Sequence, residues 1–141
     1  MTGKTIGHRL LRLGSVPSRR RGALEVEGIR LLEEGIRVTI TYRDYRAPGK
    51  RFGWKRSVGS GAIVVTRTRL LVLYYRWPIL DLPLGDVRLG ALDIDASSDR
   101  LSISFDAHEL DDARSGRVEI QLRSIRAADI VALTRSAVAR R

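Results

Sequence analysis

Within "APGKRFGWKRSVGSG" (47–61) stand four cations, Lys50, Arg51, Lys55 and Arg56, with Phe52 and Trp54 among them and four glycines around them. Arg46 adds a fifth charge just upstream. Guanidinium forks and ammonium groups hold phosphate oxygens well, and tryptophan suits the boundary between water and lipid. The chemistry predicted here is anion binding by Arg46, Lys50, Arg51, Trp54, Lys55 and Arg56. A solvated hairpin tip without any ligand has the same composition.

Other chemistries lack their motifs. The glycines do not form a nucleotide loop: no G-x-x-x-x-G-K-[ST] occurs, and Gly59-Ser60-Gly61 leads into β-prone residues rather than a helix. His8 and His108 are the only histidines, and no residue set has convincing metal-ligand spacing. Asp93, Asp95 and Asp99 are spaced loosely like calcium ligands, but no glycine and downstream glutamate complete the loop. No serine sits in a nucleophile motif. No catalytic residue, metal or cofactor is expected, and the chain reads as a non-enzyme.

The elements that must position the cations follow from periodicity. Ile36, Val38, Ile40 and Tyr42 alternate with Arg37, Thr39, Thr41 and Arg43, a half-buried strand. Residues 47–61 then read as the loop to the next strand. "AIVVT" (62–66) and "LLVLYY" (70–75) are continuous apolar runs around Arg67-Thr68-Arg69, which predicts a hairpin with both strands buried. Pro78 and Pro83 bracket "ILDL", a short or edge strand. "DVRLGALDID" alternates with a phase shift at Gly90-Ala91, suggesting a bulged strand. Leu101, Ile103 and Phe105, then Val118, Ile120 and Leu122, mark two more strands around an acidic loop (108–116). From Ser124, a plausible N-cap, Ile130, Leu133, Ala137 and Val138 share a helical face. The two final arginines suit the helix's negative end. The fold class is mainly β with a C-terminal helix: a strongly bent antiparallel barrel or sandwich of about seven strands, capped by the helix.

A chain of 141 residues suits one such domain. The absence of cysteine excludes disulfides and thiolate metal sites and suits a cytoplasmic protein. Apolar runs fall far short of the roughly 20 residues of a membrane span, which leaves peripheral association as the expected route to a membrane. The net charge is +10, and residues 1–56 hold 14 Lys/Arg against 5 Asp/Glu, that is +9 of it. Such a front half attracts something anionic: phospholipid, an acidic protein or nucleic acid. Only three of the 26 basic residues are lysine, so a general arginine bias is the competing explanation.

Residues 1–28 read as a basic arm, flexible or ordered by a partner, with 29–141 as the domain. "IGHRLLRL" (6–13) has the apolar spacing of one or two helical turns. "GSVPSRRRG" (14–22) has no apolar period, and Arg19, Arg20 and Arg21 would contact the partner.

"GAIVVTRTRLLVLYYRWPILDLPLGDVRLG" (61–90) resembles the pleckstrin-homology-like superfamily, in particular bacterial PH and GRAM-like domains. Thr66, Arg69 and Leu70 match its strand–turn–strand signature, and Leu82-Pro83-Leu84-Gly85-Asp86-Val87 matches a later segment. The strand at 116–122 and the final helix complete a likeness over roughly residues 30–140. It implies a seven-stranded bent barrel capped by the helix. It also implies a binding role, often to anionic lipid through the loop joining the first two strands. A family-like phosphoinositide pattern, Lys55 followed by Arg67 and Arg69, has its second half in the following turn instead of on the second strand. The expected partner is an anionic phospholipid surface. An acidic protein or a second copy of the chain, docking on the arm, is the alternative, and nucleic acid on the arm is the third.

Overall fold

A computed structural model of the chain describes residues 16–139. After helix α1 (Ser18–Glu27) come strands β1 (Ile29–Ala47), β2 (Lys50–Thr66), β3 (Arg69–Tyr74) and β4 (Trp77–Pro83). A 3-10 turn (Val87–Ala91) leads to β5 (Asp93–Ser97) and β6 (Arg100–Asp106). A one-turn helix, α2 (Ala107–Leu110), precedes β7 (Ser115–Arg123) and helix α3 (Ala127–Ala139). All seven strands join one antiparallel sheet in the order β4-β3-β2-β1-β7-β6-β5. The mainly β class with a C-terminal helix is as expected. The sheet stays open, with β4 and β5 at its two edges.

Bending does the work that closure would do. Leu80 and Leu82 of edge strand β4 share one apolar core with Ile103 of β6, Ile120 of β7 and Ile130 of α3. α3 lies against β5 and β6 and helps to cover that core. Prolines 78 and 83 are tolerated in β4 because an edge strand needs only one side of its ladder.

The continuous apolar runs are buried on both faces. Along β2, Ile63 and Val65 enter the main core, while Ala62 and Val64 face a second cluster. On β3, Leu70 and Val72 alternate in the same way with Leu71 and Leu73. Leu24 of α1 and Val16 cover the second cluster. Burying a leucine of this kind contributes about 1.5–3 kcal/mol.

For residues 16–28 this corrects the reading of an arm that is flexible or ordered by a partner: from Val16 onward the segment packs on its own sheet. Arg21 is ion-paired with Glu34, whose other oxygen accepts the Val16 N–H at 2.8 Å. Glu27 accepts from the Thr66 and Thr68 hydroxyls, both at 3.0 Å, and pairs with Arg69 at 3.3 Å. The helical turns expected at 6–13, His8 and the two final arginines lie outside the described residues.

Two local expectations change. "DVRLGALDID" is a 3-10 turn followed by β5, because Asp86 accepts the Arg88 N–H at 2.8 Å and starts the turn. The acidic loop begins with α2, capped by Asp106 accepting the His108 N–H at 3.1 Å. No helix among the described residues is long and apolar enough to cross a membrane.

Candidate anion-binding hairpin

The stretch 47–61 is strand, not loop. Only Pro48-Gly49 turns the chain, and Ala47 already pairs with Lys50. Proline followed by a glycine at φ +75° suits the two central positions of a type II turn. The pairing runs on through Arg46 with Arg51, Tyr45 with Phe52, Arg43 with Trp54 and Tyr42 with Lys55. Gly59 and Gly61 belong to the strand for a packing reason. A Cβ at 59 would fall 2.6 Å from the Tyr75 hydroxyl, and one at 61 would fall 2.0 Å from the Leu73 carbonyl oxygen.

Strand geometry divides the six candidate residues. Lys50 and Lys55 line clefts on the concave side, at one end of the bent sheet. Trp54 and Arg56 belong to the convex side, with the Arg56 guanidinium 5.4 Å from the Trp54 ring centroid. Arg46 and Arg51 oppose each other near the turn, both exposed. The six therefore do not converge on one ligand-sized pocket. Near the tip, however, Arg46, Lys50, Arg51, Lys55 and Arg56 have no carboxylate partner among the described residues. Arg43 does, pairing with Glu119 at 3.4 Å. Trp54 is 57% exposed.

On the concave side an aromatic cluster braces the hairpin. Tyr42 and Tyr45 have centroids 4.8 Å apart, and Tyr45 stacks on Phe52 at 6.0 Å with planes 11° apart. Lys55 Nζ sits 4.4 Å from the Phe52 centroid. A cleft of about 250 Å³ lies between this cluster and Ile79, Phe105 and Leu110, with Lys50, Asp111 and Arg114 also on its wall. Asp111 pairs with Arg114 at 3.4 Å. Burial, with Tyr45 adding to it, raises the Tyr42 phenol above its usual range, and the Arg114 charge acts the other way. An apolar floor with cations at the rim suits an amphiphilic anion.

The convex side carries a second cationic groove, of about 290 Å³, which sequence reasoning missed. Arg37, Arg56, Arg100 and Arg123 line it, with Thr39 and Gln121 between them. The alternation marked Arg37 as a wet-face residue, but only the β1–β7 and β6–β7 pairings bring Arg123 and Arg100 to it.

Of the remaining candidates, Arg19 is exposed and Arg21 is held by Glu34. Arg67 and Arg69 lie at the other end of β2 from Lys55, and Arg69 is occupied by Glu27 and Asp81, both at 3.3 Å. Asp93 pairs with Arg117, and Asp99 with Arg123. Among the described residues no group of His, Asp or Glu is placed to hold a metal ion. No protein-family model matches the chain, and no curated protein matches it.

Proposed function

We propose that the chain is a non-enzymatic binding module of the pleckstrin-homology-like kind that associates peripherally with anionic phospholipid surfaces through the tip of its β1–β2 hairpin. The observation that carries this reading is a run of five cations from the tip along the hairpin, Arg46, Lys50, Arg51, Lys55 and Arg56, without carboxylate partners among the described residues and beside an exposed tryptophan. Seven antiparallel strands followed by a helix also agree with the element order of that superfamily. Each basic residue near an anionic membrane contributes about 1 kcal/mol. The association is therefore weak to moderate and sensitive to salt.

Co-sedimentation with vesicles of phosphatidylcholine, with and without phosphatidylserine, tests this. The anionic vesicles should retain the protein at low salt and release it at high salt. Equal retention by both vesicle types, or retention unchanged in a Lys50→Glu/Arg51→Glu variant, would refute it.

A further inference from the structure

We infer that the convex face of the sheet binds a single-stranded nucleic acid, with phosphates on Arg37, Arg56, Arg100 and Arg123 and a base stacked on Trp54. The site is separate from the hairpin turn and shares Arg56 and Trp54 with the candidate residues there.

The four guanidiniums come from four neighbouring strands, β2, β1, β7 and β6. At the usual strand spacing they span about 14 Å. Of these four arginines, only Arg123 has a carboxylate partner among the described residues, Asp99 at 3.7 Å. Arg100 and Arg123 are directly opposed in the β6–β7 ladder. Like charges so placed destabilise a sheet, and bound phosphates would relieve them. Thr39 and Gln121 lie between the arginines and supply neutral donors for phosphate or sugar oxygens.

The pattern favours a chain over a flat surface. On the same side of the sheet Asp93 of β5 is paired with Arg117 and Glu119 of β7 with Arg43, and Asp95 adds a negative charge, so beyond the groove a flat anionic membrane would gain little. A flexible polyanion can follow the basic track past them. Trp54, Arg56 and Val58 alternate along one face of β2, and both Trp54 and Val58 are exposed. An accessible indole beside a cationic groove is the combination that single strands use, since every base has a face to stack.

Fluorescence anisotropy with a labelled oligothymidylate tests the inference on the full chain. Four phosphate contacts predict a log–log salt slope of about −3, so affinity should fall about fifty-fold between about 50 and 200 mM salt. Arg100→Glu places an acid opposite Arg123, so it should raise Tm by about 1–3 °C. The same substitution should weaken oligonucleotide binding about tenfold or more. Arg37→Gln, an uncharged change at an exposed site, should weaken binding in the same direction. Trp54→Ala should weaken it about tenfold. Unchanged affinity in both arginine variants overturns the inference. So does loss of oligonucleotide binding on Lys50→Glu/Arg51→Glu alone, which would move the site to the hairpin tip. Undetectable oligonucleotide binding, with vesicle retention abolished by Arg100→Glu, would mean that the face takes lipid, and the inference falls.

Discussion

Ser124 Oγ donates a 2.6 Å hydrogen bond to Glu33 Oε1, tying the approach to α3 back to β1 across 91 residues of chain. The same hydroxyl accepts the Arg126 N–H at 3.0 Å, and the Ser124 N–H donates to the Asp99 carbonyl at 2.7 Å. The helix begins at Ala127, so Ser124, expected from sequence to cap it, instead closes the turn before it and ties that turn to the sheet. Ser124→Ala would remove the hydroxyl donor from the partly buried Glu33 carboxylate. A loss of about 1–3 kcal/mol is expected in urea unfolding. An unchanged midpoint would show that the tie carries no energy.

Leu24 is 2% exposed beneath α1, against Val64, Leu71 and Leu73. Leu24→Ala should cost about 2–5 kcal/mol. Hydrogen exchange should then show the loss of protection concentrated in α1 and in β2–β3, with β6 and β7 keeping theirs. Uniform loss would mean that the second cluster is not a separable layer.

Gly61 marks a point of closest approach between β2 and β3. A Cβ there would meet the Leu73 carbonyl oxygen at 2.0 Å and Val38 Cγ2 at 2.8 Å. The carbonyl belongs to the β-ladder and cannot rotate away as a side chain would. Gly61→Ala should therefore destabilise by about 3 kcal/mol or more in thermal unfolding. Gly22→Ala, on α1 with open space around its Cβ, is the control and should be neutral or mildly stabilising.

The Tyr42 phenol, raised above 10.0 chiefly by burial, predicts an alkaline loss of stability. Below pH 10 it is protonated in both folded and unfolded chains and adds no pH dependence. Above that, the unfolded chain ionises first, so stability falls as pH rises toward the folded value. Burial raises Tyr74 in the same direction. Denaturant midpoints from pH 9 upward in the wild type and in Tyr42→Phe check this: the variant should lose less stability.

Arg46 and Arg51 face each other across the hairpin near its turn. Arg46→Glu converts a like pair to an opposite pair and should stabilise the fold by about 0.2–1 kcal/mol. It should at the same time weaken retention on anionic vesicles. A gain in both would show that the tip does not contact the membrane.

Much of the fold was legible because strand and helix periods are local. The alternation through Ile36–Arg43, the paired apolar runs at 62–66 and 70–75, and the alanine-rich final helix all appear at the expected places. Residues 47–61 form strands around a two-residue turn instead of a loop, because their glycines and charges are compatible with a paired hairpin. Pro48-Gly49 was the local turn signal within that stretch, whereas Gly59 and Gly61 answer to Tyr75 and Leu73, which contact them from the far end of the β2–β3 hairpin. Residues 16–28 depart from the arm reading for a related reason. "GSVPSRRRG" has no apolar period, and its anchors, Val16, Leu24 and Arg21, acquire meaning only beside Val64, Leu71 and Glu34.

By itself the sequence determined the fold class, the order of the strands and final helix, and an excess of cations in the front half. Those properties rest on side-chain period and charge, which neighbouring residues already display. The tertiary structure alone decided how the cations are shared out. Alternation along β2 sends Trp54 and Arg56 to the side away from Lys55, and a break in that alternation at Gly53, across from Asp44 at φ +50°, returns Lys50 to the side of Lys55. Pairing of β1 with β7 and of β7 with β6 then brings Arg123 and Arg100 to Arg37, a grouping that depends on register between distant segments.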